Sequence, residues 1–422
     1  MVGNELRAFQ RGLNPDYNEE YGLDEMVAAG KQSGSRLEYV FEGSYNGSIY
    51  SEYDSIWQDF DLLPLQDRSN IVTLGEGASE LIEFEELSPL LNGAKLYVLM
   101  DSEKNPTGTF KDREASLIIS RCKELGLDNL VFYSTGNTGR TYTHYAAHLG
   151  LTTYFFMPGK CHYKNTKHIK KNKNNYIIYV DDYYPQISPY AKRFAKENGL
   201  NAIAPLHDRT EPYATVAYEL FRKLPKYDFF VQTIASGMGP IGYLRGHKNL
   251  VKFGLERPED IPRIICIQSE EMSVMSRAYS SGRTTLTEDD LPKTFAEDLF
   301  EPTLNSTNPV KNYPELYKCL QESNGIITHV DPDYVKEKAQ PLVDAFQNRG
   351  LTLRTDLELS NLIGFAGLIQ LAEKGQFQKD QTIAMLSCGR GKDQSTELYE
   401  PDSWVSPRTD DPVELKQKLD AL

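Results

Sequence analysis

Lys111 stands where a lysine can do covalent chemistry. It follows the turn Asn105-Pro106-Thr107-Gly108 and opens the amphipathic run Asp112-Arg113-Glu114-Ala115. The positive end of a helix dipole lowers the pKa of an amine placed there, which suits a lysine that must be neutral to attack a carbonyl and form a Schiff base. The same spacing also describes a solvated lysine beside Asp112. A second segment, Ser134-Thr135-Gly136-Asn137-Thr138-Gly139-Arg140, closes an apolar run and leads into a helix. Its backbone N–H groups and hydroxyls form a cradle for a carboxylate or phosphate, Asn137 can bond a phenolic oxygen, and Arg140 adds charge. A capped strand-to-helix turn is the other reading of those residues.

A third segment, Ala235-Ser236-Gly237-Met238-Gly239-Pro240-Ile241-Gly242, again follows an apolar run. Its glycines let the backbone approach an anion, and the missing Lys-Ser/Thr pair argues against a P-loop ATPase. The fourth, Leu386-Ser387-Cys388-Gly389, ends the last such run. Ser387 can bond a neutral ring nitrogen, or simply sit in a strand-ending turn. Each segment alone is a weak signal. Together they supply a Schiff-base lysine, an anion cradle, a phosphate nest and a late serine, the parts that pyridoxal phosphate requires.

These segments need a scaffold of strands and helices. Apolar runs at 95–100, 129–134, 152–157 and 175–180, then 228–234, 263–268 and 382–387, alternate with amphipathic segments, the pattern of parallel α/β sheets. Residues 112–125 place Ala115, Ile118, Ile119, Cys122 and Leu125 on one helical face before Gly126. The expected division is a large lobe from 1–112 and 228–398, a smaller mobile lobe at 113–227, and a charged tail at 399–422 that wraps the surface. Residues 1–60 read as a loop-and-helix lead-in.

Composition narrows the function class. Lys and Arg number 46 against 60 Asp and Glu, a net charge of −14, which argues against nucleic acid as a partner. The apolar runs are too short to cross a membrane, and the first residues lack the apolar stretch of a secretory leader. Five cysteines without a CxxC pair suit reduced thiols in a cytoplasm. His144 and His148 have the spacing of a zinc pair but read better as a helix face, and the basic cluster at 164–175 as a solvated helix and turn.

With these motifs in view, the chain resembles the fold type II pyridoxal-phosphate enzymes, the tryptophan synthase beta-subunit-like kind with two α/β lobes. Within them it resembles the threonine synthases, over roughly residues 70–395. The resemblance rests on IVTLGEGASEL (71–81), NPTGTFKDR, STGNT, the glycine-rich loop, ELSNLIGFAGLIQLAEKG (358–375) and LSCGRGKD, in matching order. It implies that Lys111 carries the cofactor and shuttles protons, and that Asn137 bonds its 3′-oxygen. Ser236, Gly237, Met238, Gly239 and Ile241 would bind its phosphate, with Ser387 opposite the pyridine nitrogen. Ser134, Thr135 and Thr138 would clasp the substrate α-carboxylate, and Arg209 would read a substrate phosphate.

The resemblance further implies a homodimer, and a smaller lobe that closes on an amino-acid substrate. The expected reaction is release or replacement of a phosphate, as in converting O-phosphohomoserine and water to threonine. Some positions depart from the threonine-synthase pattern. Ile203-Ala204 stands for the usual Asn-Ser pair, GEGASEL replaces GEGxTPL, and FKDREA with GNTGRTYTH is similar to cysteate synthase. β-Replacement on O-phosphoserine is therefore the alternative reaction. A catalytically silent binding protein is the alternative class, and the presence of Lys111 speaks against it.

Overall fold

The computed structural model describes residues 6–422 except 168, 182–183, 204–208, 292–298, 305–308, 352–357 and 392–396, and leaves out the side chains of 184–186. Its strands are β1 (Arg7–Gly12), β2 (Glu20–Tyr21), β3 (Leu37–Glu42), β4 (Leu81–Glu83), β5 (Lys95–Leu99), β6 (Asn129–Tyr133) and β7 (Thr152–Pro158). They continue with β8 (Asn175–Val180), β9 (Asn201–Ala202), β10 (Phe229–Thr233), β11 (Arg263–Ser269), β12 (Ile326–Val330), β13 (Thr382–Leu386) and β14 (Ser403–Val405). The helices that matter for the site are α1 (Lys111–Glu124), α2 (Asn137–Leu149), α3 (Tyr184–Glu197), α4 (Ala214–Lys223), α5 (Met238–Lys252), α6 (Pro309–Glu322), α7 (Leu359–Glu373) and α8 (Pro412–Asp420).

Two parallel sheets carry the fold. One runs β12-β11-β10-β13-β5-β4, antiparallel only where β4 meets β5. The other runs β14-β8-β7-β6-β9 and is parallel throughout. Both faces of each sheet are buried. Along β6, Leu130 and Phe132 enter one core while Val131 and Tyr133 enter another. Along β10, Phe229 and Val231 face one side and Phe230 the other. A strand covered on both faces is apolar on both, which is why these strands read as near-continuous hydrophobic runs instead of alternating ones.

All seven strands expected from the sequence form within a residue or two of their expected bounds. The expectation for residues 1–60 needs correction. β1, β2 and β3 form an antiparallel three-stranded sheet in which Leu37, Tyr39 and Phe41 of β3 are buried at every second position. The tail also does more than wrap the surface. Val405 pairs with Val180 at the edge of the second sheet, and Leu415 and Leu419 of α8 join the core beneath α3. Among the described residues, no helix is long and apolar enough to cross a membrane.

Candidate active site

The segment before Lys111 is held rigidly. Asn105 accepts from the Gly77 N–H at 2.8 Å and donates to the Thr109 carbonyl at 2.9 Å. Asp112 is fully buried and accepts from the Thr107 hydroxyl at 2.7 Å, closing the turn from the helix side. Burial pushes its carboxyl up to about 7. Arg113, also buried, donates to both oxygens of Asp101 at 2.7 Å and to Glu219 at 2.7 Å, tying α1 to α4. Asp112 and Arg113 therefore fix the angle at which α1 leaves the turn, and Lys111 is its first residue.

The Lys111 amine donates to the Tyr213 hydroxyl at 2.9 Å and lies 3.4 Å from Glu114, one helical turn on. Burial and the Arg209 charge hold the amine below the usual lysine range, against the pull of Glu114. The helix dipole acts on the amine in the same direction, and burial stands first among the causes of the shift. Glu114 is fully buried. It accepts from Arg209 Nε at 2.5 Å, from the Tyr142 hydroxyl at 2.6 Å and from the Tyr213 hydroxyl. Burial alone would raise this carboxyl; Arg209 and Lys111 outweigh it and hold it at about 2.

Across the cleft, Gly136 precedes α2 with a φ of 153°, a conformation that favours glycine. The Ser134 hydroxyl accepts from the N–H groups of Gly136 at 3.0 Å and Gly139 at 2.9 Å, so it caps the helix as well as facing the loop. The next two amides, those of Asn137 and Thr138, lie in the helix's first turn, where N–H groups lack intrahelical acceptors. Thr135 and Thr138 are each 7% exposed, and the Thr138 hydroxyl accepts from Arg209 at 3.2 Å. Asn137 donates to Glu358 at 3.1 Å, while its side-chain oxygen Oδ1 is buried without a hydrogen-bond partner.

Glu358 also meets Lys164 at 3.3 Å and the Ser360 hydroxyl at 2.7 Å. Burial raises Glu358, but Lys164, Ser360 and Asn137 bring it below the usual carboxylate range. Lys164 is itself buried, 3.9 Å from Glu301, so the start of the basic cluster is not solvated as expected. Arg140 is buried too. It donates to the Thr107 carbonyl at 2.7 Å and to the Lys164 carbonyl at 3.3 Å, bracing both loops. His144 accepts from the Lys170 N–H at 2.7 Å, and His148 bonds the His144 carbonyl at 2.8 Å. Among the described residues, no group of three His, Cys, Asp or Glu side chains could hold a metal ion.

The glycine-rich loop places Gly237 at the N-cap of α5 with a φ of 80°, which favours glycine. The amides at this end that have no intrahelical acceptor are those of Gly237, Met238 and Gly239, since Pro240 has no N–H. Ser236 accepts from Asn312 of α6 through its carbonyl at 3.2 Å. Ile241 has its side chain in the core, and its N–H points to the Gly237 carbonyl at 3.4 Å. Gly242 is also a packing residue, because a Cβ there would stand 2.1 Å from the Thr210 carbonyl oxygen. That contact seats α5 against the segment bearing Tyr213, and so against Lys111.

Ser387 is fully buried and its hydroxyl bonds Ser102 at 2.5 Å. The next side chain, the Cys388 thiol, is the one that senses the Lys111 charge; burial pushes it up to about 12. Lys392 and Asp393 of the same motif, and Ala204, lie outside the described residues. Four residues went unassigned in the sequence reading: Glu114, Tyr213, Lys164 and Glu358. Glu114 had a visible signal, since a residue three positions after Lys111 shares its helical face. Glu358 opens a motif that entered the reading only through the family resemblance, with no role given to the residue itself.

The donor set fits pyridoxal phosphate. The unpartnered side-chain oxygen of Asn137 marks a buried polar position that the chain itself does not fill. The three free amides at Gly237–Gly239 suit a phosphate, and the Lys111 amine is depressed as a Schiff-base lysine requires. The family model described as "Pyridoxal-phosphate dependent enzyme" matches residues 72–389. The chain belongs to this family.

Pyridoxal 5′-phosphate is accordingly its cofactor, and the fold is the two-lobed fold type II kind. Threonine synthase from Methanocaldococcus jannaschii is 25% identical over 95% of this chain and 96% of the relative. That from Methanosarcina acetivorans is 24% identical over 96% and 95%. Among solved structures, maize serine racemase aligns with a TM-score of 0.58 at 16% identity, covering 75% of this chain and 90% of its own. Diaminopropionate ammonia lyase from Escherichia coli aligns with a TM-score of 0.58 at 16% identity, covering 75% and 86%. These two likenesses concern the fold.

Proposed function

We propose that this chain is a pyridoxal-phosphate-dependent carbon–oxygen lyase of the threonine-synthase kind, releasing phosphate from O-phosphohomoserine and adding water to give threonine. The observation that carries the reading is that Lys111 and Arg209 are held by one carboxylate, with Arg209 also on Thr138 of the loop before α2. A group that moves protons and a guanidinium that can grip an anion thus flank one position. Full-length similarity to threonine synthases supports the same reading.

In this reading the amides of Asn137 and Thr138, with Ser134 and Thr135, orient the substrate α-carboxylate. Lys111 Nζ removes the proton from the α-carbon, and Arg209 holds the distal phosphate in line to leave. Gly237, Met238 and Gly239 would hold the cofactor phosphate, Asn137 its phenolic oxygen, and Ser387 its ring nitrogen. The bound cofactor supplies the electron sink for negative charge at the α-carbon. β-Replacement on O-phosphoserine is the second reading, favoured by Glu114, which belongs to the FKDREA variant of the lysine motif. A homodimer in the cytoplasm is the expected setting.

The test is the absorption spectrum of the protein with pyridoxal phosphate, before and after borohydride, beside Lys111→Ala, followed by product analysis. The expected result is a borohydride-sensitive band that the variant lacks, and threonine and phosphate from O-phosphohomoserine. Turnover of O-phosphoserine alone would move the assignment to β-replacement. No band at all would leave the silent binding protein as the better description.

A further inference from the structure

Glu114 occupies the place where a substrate anion would dock on Arg209. The guanidinium has one edge formed by Nε and a terminal nitrogen. Nε is taken by Glu114 at 2.5 Å and the terminal nitrogen by Thr138 at 3.2 Å. Bidentate docking of a phosphate on that edge therefore requires Glu114 to let go. The carboxylate is fully buried, so it has no water to retreat into, and its other partners are already in contact: Tyr142, Tyr213 and the Lys111 amine.

We infer that Glu114 is a positioning and specificity-determining residue, an internal stand-in for the substrate's distal phosphate that hands Arg209 over when the phosphate arrives. This rests on the reading of Arg209 as the phosphate-binding residue. On release from Arg209, Glu114 keeps the two tyrosines and becomes the counter-charge of Lys111. The exchange leaves no buried charge unpaired: phosphate neutralises Arg209, while Glu114 stays beside Lys111 and balances the ammonium formed when that amine takes the α-proton. It also sets a threshold, because a substrate whose distal group carries no negative charge cannot displace the carboxylate. Arg209 then stays turned away from it.

The test titrates holoenzyme with inorganic phosphate, whose binding is read by calorimetry because the cofactor's own phosphate site is filled. Glu114→Gln keeps the shape and removes the competitor, so phosphate affinity should rise about tenfold. The gain should vanish in Glu114→Gln/Arg209→Gln, which also balances the charge if the single variant fails to fold. Glu114→Asp, drawn back by one methylene, should show a smaller gain. With the phosphorylated amino acid, Glu114→Gln should lower KM and kcat together, since Arg209 is freed while Lys111 loses its counter-charge.

Unchanged phosphate affinity in a folded Glu114→Gln variant, or a gain that survives loss of Arg209, overturns the inference. Failure of the wild-type protein to turn over any phosphorylated amino acid is a separate outcome. It removes the proposed reaction, while the phosphate titration still decides the role of Glu114.

Discussion

The Tyr213 hydroxyl lies 2.9 Å from the Lys111 amine and donates onward to Glu114, so a lysine, a tyrosine and a carboxylate form one hydrogen-bonded chain. The hydroxyl accepts from the amine, which favours its charged form and partly offsets the burial that depresses it. Tyr213→Phe removes that support. The Lys111 amine should then fall further, and the apoprotein should take up pyridoxal phosphate faster below neutral pH than the parent does. kcat should fall about tenfold with little change in KM, because the tyrosine acts on the lysine and not on the substrate. An uptake–pH curve that coincides with the parent's would reduce Tyr213 to a packing residue.

Asp112 links the turn before Lys111 to pH. Its carboxyl is raised by burial from 3.8 to about 7, so the folded protein holds a proton there that the unfolded chain releases. The protonated acid contributes fully below pH 4, and its contribution is lost as pH rises toward 7. The stability difference between the parent and Asp112→Asn should therefore shift against the parent across that window. Urea unfolding of both at pH 4.5 and 7.5 checks this, and a difference that does not depend on pH contradicts it.

Lys164 separates two buried carboxylates, with Glu358 at 3.3 Å and Glu301 at 3.9 Å. Lys164→Met leaves them uncompensated and should cost roughly 3 kcal/mol at neutral pH. Without the lysine both carboxyls rise, so the variant should regain stability on acidification, when they protonate, and lose it as pH rises. Chemical denaturation at pH 5 and 7.5 reads this. Equal losses at both values would mean that the lysine's packing, not its charge, matters.

Gly242→Ala tests whether the helix seat controls the site. The new methyl would meet the Thr210 carbonyl at 2.1 Å and the Tyr213 Cβ at 2.8 Å, both parts of the segment that touches Lys111. A stability loss of about 2 kcal/mol is expected, with a disproportionate fall in kcat. Gly126→Ala is the control. Its surroundings are open but its φ of 66° is strained for alanine, so about 1 kcal/mol should be lost with activity kept.

The strands and the starts of α1, α2 and α5 were legible because their causes are local. An unbroken apolar run such as that at 175–180 belongs to a strand buried on both faces, and Gly136 and Gly237 sit where left-handed backbone lets a helix begin. Lys111 was singled out by its turn and helix taken together with the three other small-residue segments, since no one of them sufficed. The β1–β3 sheet was overlooked although Leu37, Tyr39 and Phe41 alternate. The surrounding Gly, Ser and Tyr residues read as loop, and pairing across 25 residues has no periodic signature.

What residue order could not decide was which side chains meet. Glu114 and Arg209 are 95 positions apart, and Asn137 and Glu358 are 221 apart. Ser387 turned out to bond Ser102, while its neighbour Cys388 faces the lysine's field. Propensity and periodicity act over a few residues, so they specify elements and the chemistry each end can offer. Partner choice depends on how the two sheets and their helices pack. Only that packing buries Glu114 beside both cations and so makes one carboxylate the link between Lys111 and Arg209.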